Sequence, residues 1–176
     1  MHKNVKYTAF ETKWGYFGLA AAENAILRTQ LPLSDCKKAK KLLLSNLPPA
    51  QYDKTLLYDT QLRITAYFEG SCVDFGDTPV LLDEFSLFTR LVLTACKSIT
   101  FGRTITYGQL ARTIHHPAAW RAVGSALAKN PLPLIIPCHR VIYSNGGLGG
   151  FSAYGALRRK AGLLDHEKKA LTQPYC

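Results

Sequence analysis

An α+β protein in two parts is the fold the sequence predicts: a small α/β segment over residues 1–78 and a mainly helical segment over residues 79–176 that contains a helix-turn-helix. Three observations predict it. Aromatic and aliphatic residues alternate loosely with polar ones from Tyr7 to Leu33, the pattern of short strands. From Leu82 onward apolar residues recur at three- and four-residue intervals, the period of helices. The charge balance changes where the two patterns meet. Residues 1–80 carry ten Lys/Arg against eight Asp/Glu, whereas residues 81–176 carry twelve against four.

Tyr7, Phe10, Trp14, Tyr16, Phe17, Ile26 and Leu27 mark antiparallel strands broken at Gly15, Gly18 and Glu23-Asn24. A helix follows in "SDCKKAKKLLLSNLP", capped by Ser34 or Asp35 and stopped by Pro48 and Pro49. Its Lys37, Lys38, Lys40 and Lys41 form a solvated face. "LLYDTQLRITAYFEG" is a second helix ending at Gly70, and the chain turns through "SCVDFGDTP" to a boundary near Thr78. Leu82, Phe85, Phe88, Leu91, Val92 and Ala95 then fall on one face of a helix of about four turns. After the connector "TFGRTIT", two short helices, "YGQLARTI" and "AAWRAVGSALAKN", flank the joint "HHP"; with the longer helix before them they outline a helix-turn-helix. Ala118, Ala119, Ala122, Gly124, Ser125 and Ala126 are small enough to let a nucleic-acid backbone approach closely, and equally suit tight helix packing. "NGGLGGFSAYG" is a glycine-rich loop. "ALRRKAGLLDHEKKA" closes the chain as a helix with Leu157, Ala161 and Leu164 inward, and Glu167 stands beside that stripe. Its carboxylate is either turned inward or salt-bridged at the surface.

Composition limits the function. With 176 residues, 47% of them hydrophobic, the chain can bury a real core. No window approaches 18 consecutive apolar residues, so no membrane span is expected. The N-terminal residues lack an apolar run followed by a cleavage site, and a cytoplasmic protein is expected, or a nuclear one in a eukaryote. Cysteines 36, 72, 96, 138 and 176 form no CxxC pair and are odd in number, which fits free thiols in a reducing compartment. The net charge is +10, and no acidic residue stands between Phe85 and Leu164 while ten basic ones do. A polyanion would relieve that self-repulsion, which favours nucleic acid over a merely solvated basic face.

"PLPLIIPCHRVI" then raises a chemical question. Metal binding is weakly supported, because His115, His116, Cys138 and His139 lack paired ligand spacings. An inert core cysteine would have apolar neighbours on both sides. Cys138 is followed by His139 and Arg140, either of which would favour a thiolate, and a nucleophile is the remaining reading.

"ITYGQLA", "WRAVGSALAKNPLPLIIPCHRVI", the glycine loop and "LLDHE" together resemble the O6-alkylguanine-DNA alkyltransferases, the direct-reversal repair proteins. The resemblance is strong from about Pro79 to Glu167. Over residues 1–78 it extends only to the size and pattern of that family's ribonuclease-H-like domain, and residues 79–176 correspond to its winged-helix-like DNA-binding domain. It implies that Cys138 accepts the alkyl group, that His139 is its base through a water, and that Glu167 orients the imidazole. It implies that Asn130 ties the helix pair to the turn carrying Cys138, and that Pro133, Ser152 and Ala122 belong to substrate binding. Arg121 would enter the base stack, and Tyr107 would help rotate the nucleotide and donate to the departing guanine. The activity implied is irreversible, single-turnover transfer from O6 of guanine, and O4 of thymine, in duplex DNA. No cofactor, no metal and no obligate protein partner are implied, and a monomer is expected.

Departures from the pattern leave points open. Trp120 is read as a core anchor, with stacking on a sugar or base as the alternative. Phe151 replaces a common tyrosine, and the loop is two residues longer than the family's short form, which leaves open whether Ser152, Ala153 and Tyr154 reach the pocket. A winged-helix regulator without chemistry and a cysteine hydrolase that turns over are the competing functions.

Overall fold

The computed structural model describes residues 4–150 and 156–173. A small sheet and six helices form a mixed α+β protein. Three antiparallel strands, β1 (Lys6–Thr12), β2 (Gly15–Ala22) and β3 (Ala25–Leu33), make a meander, and the short β4 (Gln51–Tyr52) adds parallel to β1 in the order β3-β2-β1-β4. Glu23 and Asn24 form the tight turn between β2 and β3, both with positive φ (52° and 62°), the backbone twist a two-residue hairpin needs. Gly18 does not break a strand as expected. It lies inside β2, buried, and a Cβ there would come within 3.1 Å of Leu43 and 3.2 Å of Gln30. Its bareness lets helix α1 (Cys36–Leu44) press onto the sheet. Asp35, not Ser34, caps α1 by accepting from the amides of Lys37 and Lys38.

Helix α2 (Tyr58–Glu69) ends at Gly70 in the left-handed region (φ 107°), as expected. Helix α3 (Leu87–Lys97) is shorter than the four turns expected. Ser86 accepts from the Thr89 amide and starts it there, so Leu82 and Phe85 precede the helix, and Leu82 packs on the core from its approach. Its inward residues are Thr89, Val92, Leu93 and Cys96, while Leu91 is exposed. Helices α4 (Tyr107–Thr113) and α5 (Trp120–Leu127) follow; a capping box of Thr106 and Gln109 starts α4. Both helices and α3 pack on one another. Helix α6 (Ala156–Ala170) closes the described chain.

One core cluster joins the sheet, α2, α3, α4, α5 and the Leu132–Val141 segment, with Tyr67, Phe68, Leu93 and Leu110 wholly buried. Strand β3 is stitched to residues 79–81 through Ile26, which donates to the Pro79 carbonyl and accepts from the Leu81 amide. The phase of α6 differs from expectation. Lys160, Leu163, Glu167 and Ala170 face inward, whereas Leu157 and Ala161 are exposed and Leu164 is only partly covered. Free thiols are found at Cys36, Cys96 and Cys138, but Cys72 is held in a disulfide, contrary to the expectation of five free thiols. No helix among the described residues is long and apolar enough to cross a membrane.

Candidate active site around Cys138

Two short strands bring the chemistry together. β5 (Ile105–Thr106) runs parallel to β6 (Val141–Ile142), with Ile105 opposite Val141. Tyr107, the first residue of α4, is therefore carried to the segment that follows Cys138, His139 and Arg140. Those three form a single 3-10 turn, all buried. The turn is reached through Leu134, whose φ of 81° is costly for a branched residue. Asn130 offsets that cost. Its Nδ2 donates to the Ile136 carbonyl at 2.9 Å and to Cys138 Sγ at 3.1 Å, and its Oδ1 accepts from the Leu132 amide at 3.0 Å. One buried amide thus ties the end of α5 to the turn and places the sulfur.

Glu167 comes in from α6 and is the hub of a buried polar network, 1% exposed. Its Oε1 lies 2.8 Å from His139 Nε2 and accepts from Tyr67 Oη at 2.9 Å. Arg140 donates to it from Nε and Nη2 at 3.0–3.2 Å, and the Gly102 amide donates to Oε2 at 3.0 Å. Burial alone would raise the Glu167 pKa. The hydrogen bond to His139 and the charge that ring carries once protonated in acid, then Arg140, outweigh it and bring the group from 4.5 down to about 2. An ionised Glu167 can only accept, so Nε2 of His139 carries the proton and Nδ1 is the acceptor. Nδ1 is buried and has no hydrogen-bond partner among the described residues. Burial also lowers the His139 pKa, chiefly by desolvation, so the ring is neutral at rest and open to a proton at Nδ1.

Arg140 does not serve the thiol as its sequence position implies. Its side chain points away, to Glu167, to Asp74 Oδ1 at 3.0 Å and to the Ile99 carbonyl at 2.5 Å. Burial pushes the Cys138 thiol above its ordinary value, and the hydrogen bond from Asn130 and the charge of Lys160 only partly oppose that. The resting site holds a protonated thiol and a neutral imidazole. Lys160 is the residue that sequence reasoning missed. It is fully buried, donates from Nζ to the Val141 carbonyl at 2.6 Å, and lies 5.8 Å from the centre of the Tyr107 ring. The one signal for it is retrospective: 160, 163, 167 and 170 share the helical stripe of Glu167.

Tyr107 is buried, its pKa raised to about 12 chiefly by desolvation, so its hydroxyl remains a donor. Gly149 (φ 70°) leaves it room, since a Cβ there would sit 2.5 Å from Tyr107 Oη. A cavity of about 520 Å3 opens beside Tyr107, lined also by Trp120, Arg121, Gly124, Ser125 and Tyr143. Arg121 is exposed at its edge, and Ala122 is exposed on the same helix. Trp120 is not the expected core anchor. It is 42% exposed, with the Arg121 guanidinium 4.5 Å above its ring. Pro133 is buried and lines a separate cavity of about 620 Å3 with Arg28, Lys129 and Asn130, not the one beside Tyr107. Its carbonyl accepts from Thr29 Oγ1 at 2.8 Å. Ser152 lies outside the described residues, as do Phe151, Ala153 and Tyr154. The described residues hold no group of three or more His, Cys, Asp or Glu that could bind a metal ion.

Residues 87–169 match the family described as 6-O-methylguanine DNA methyltransferase, DNA binding domain. The chain is 36% identical to the methylated-DNA–protein-cysteine methyltransferase of Cricetulus griseus over 98% of its own length and 86% of that protein. It is 32% identical to the protein of that name from Metallosphaera sedula, over 97% of both. Among solved structures, Mycobacterium tuberculosis OGT in complex with DNA superposes with a TM-score of 0.78 at 30% identity, over 94% of each chain.

Proposed function

Because the chain belongs to the methylated-DNA–protein-cysteine methyltransferase family, we propose that it repairs duplex DNA directly, moving a methyl or other alkyl group from O6 of guanine, and from O4 of thymine, onto Cys138. The observation that carries this reading is the ordered line from ionised Glu167 to His139 Nε2, with Nδ1 open and the Cys138 sulfur held by Asn130. Glu167 fixes the tautomer and stabilises the charge His139 takes on. A water between Nδ1 and the sulfur would pass the thiol proton to the ring as the sulfur attacks. A bond forms from sulfur to the alkyl carbon, the carbon–O6 bond breaks, and the electron pair leaves with guanine. Guanine takes up a proton, so the net change exchanges the thiol's proton for the alkyl group. Tyr107 donates to the base as its charge grows. Deprotonation is coupled to attack because burial disfavours a free thiolate in the resting site.

A thioether offers no carbonyl for water to attack, so in this reading each molecule acts once, and displacement by sulfur calls for no cofactor. The target base must leave the stack to reach the sulfur. In this reading α4 and α5 form the helix-turn-helix of a winged-helix-like DNA-binding domain over residues 79–176. Arg121 fills the vacated place, and exposed Ala122 lets the DNA backbone come close. Residues 1–78 form the ribonuclease-H-like supporting domain, which contributes Tyr67 and Asp74 to the network. The protein acts as a monomer with DNA as its partner, in the cytoplasm or, in a eukaryote, the nucleus. The test is mass spectrometry after incubation with excess O6-methylguanine duplex. One methyl group on Cys138 and then arrest is the expected result; continued conversion with unmodified protein recovered would overturn it.

A further inference from the structure

The cavity beside Tyr107 has a neighbour. A second hollow of about 450 Å3 lies across a shared wall made of Tyr107, Trp120 and Tyr143, and Arg112, Ser144 and Asn145 are among the residues that also line it. Its volume falls in the range of small-ligand sites, about 300–1,000 Å3. The wall is unusual in what it leaves uncovered. Trp120 is 42% and Tyr143 46% exposed, although rings of this size gain much from burial. Tyr143 is set against buried Tyr107, with ring centres 5.2 Å apart, so the wall is anchored in the core and free at its two outer rings. Arg112 is exposed on the last turn of α4 and makes no ion pair or side-chain hydrogen bond to the described residues. Asn145 Oδ1 is taken by the Gly147 amide, which fixes the turn and leaves its amide donors to face outward. All of these residues lie in the acid-free stretch between Phe85 and Leu164.

Two half-exposed aromatic rings beside an unpaired cation match a nucleotide, with apolar base faces and an attached phosphate. A wholly apolar ligand would leave Arg112 without a partner. We infer that this hollow is a second nucleobase subsite, which takes the unstacked base of a nucleotide next to the one whose base enters the first cavity. The base lies against Trp120 and Tyr143, and its phosphate meets Arg112. The inference rests on the DNA-repair reading, since extruding one base breaks the stacking of its neighbours. The two hollows share Tyr107, Trp120 and Tyr143, which suits nucleotides that are neighbours in one strand. Arg121 now covers one face of Trp120; when it leaves for the duplex, that face is released.

A thermodynamic cycle between protein and DNA tests this. Affinities are measured in a Cys138→Ala background for O6-methylguanine duplexes with all bases present, or with the base removed on one side of the lesion. Removing the neighbouring base on one side should weaken binding on the order of 10-fold when Trp120 and Tyr143 are intact. Trp120→Ala and Tyr143→Ala should already have lost that factor and be insensitive to base removal, while Trp120→Phe should keep part of it. Equal losses in every protein, on both sides of the lesion, would overturn the subsite. Arg112→Gln should reduce the slope of affinity against salt by about one; an unchanged slope would remove the phosphate contact. Methyl transfer by the unaltered protein from the same duplexes is followed in parallel. Its absence would overturn the repair reading, whereas transfer without coupling overturns the subsite alone.

Discussion

Replacing Glu167 by Gln separates the chemistry of the site from its architecture. The carboxylate accepts from Tyr67, His139, Arg140 and the Gly102 amide, and it is 1% exposed. A glutamine keeps the volume but puts an NH2 group where donors already converge, and it leaves Arg140 with only Asp74 as an anion. The fall of the Glu167 pKa from 4.5 to about 2 corresponds to about 3 kcal/mol of stability. That agrees with the roughly 3–5 kcal/mol lost when one partner of a buried ion pair is removed. For a chain of this size the melting temperature should drop on the order of 10 °C. Because Glu167 gives up its proton more readily in the folded protein, its contribution is complete above about pH 5 and is lost as pH falls toward 2. Burial of neutral His139 acts in the same direction. The native protein should therefore lose stability across that window more steeply than Glu167→Gln. In the folded variant, His139 lacks the anion that stabilises its charged form. Transfer from free O6-benzylguanine should slow about 100-fold, near the low end of a general-base contribution. The assay is single-turnover benzyl transfer against pH, beside thermal unfolding at pH 7 and pH 3. A folded variant reacting at the native rate, or one with the native acid dependence of stability, would refute the role.

Arg121→Ala should slow repair of O6-methylguanine in duplex DNA far more than reaction with free O6-benzylguanine, since only the duplex leaves a place to fill; equal losses would assign Arg121 to the pocket or to folding. Lys160→Met removes a buried charge that favours the thiolate, so the pH profile of benzyl transfer should move to higher pH. An unmoved profile would leave Lys160 only the task of satisfying the Val141 carbonyl. Asn130→Ala strips three hydrogen bonds from the turn before Cys138 and should cost about 2–4 kcal/mol in denaturant unfolding, with slower transfer. Unchanged stability would show that Leu134 and its neighbours hold the turn unaided.

Much of the site was legible because its contacts are short-range in the chain. Asn130 reaches Cys138 across eight residues, and Cys138, His139 and Arg140 occupy one turn. The turn at Glu23-Asn24, the cap at Asp35 and the stop at Gly70 are also written in local residue chemistry. The misreadings share a different cause. Gly18 has the local signature of a strand breaker, because nothing in its neighbours reveals that α1 crosses it. In α6 the apolar residues Leu157 and Ala161 are exposed while Lys160 and Glu167 are buried, because the network around Cys138 draws the polar stripe inward.

Sequence adjacency thus brings Cys138 and His139 forward as the candidate nucleophile and base, since a thiol, an imidazole and their fixing amide lie within ten positions of one another. It does not give their protonation. Arg140 stands two residues from Cys138, yet its charge is spent on Glu167 and Asp74, and burial keeps the thiol protonated. Nor does adjacency reveal Tyr67, which meets Glu167 from 100 residues away, or turn Trp120 from the core to the surface. Desolvation and hydrogen-bond direction depend on what packs around a group from every side. Those neighbours come from segments far apart in the chain, and only folding sets them together.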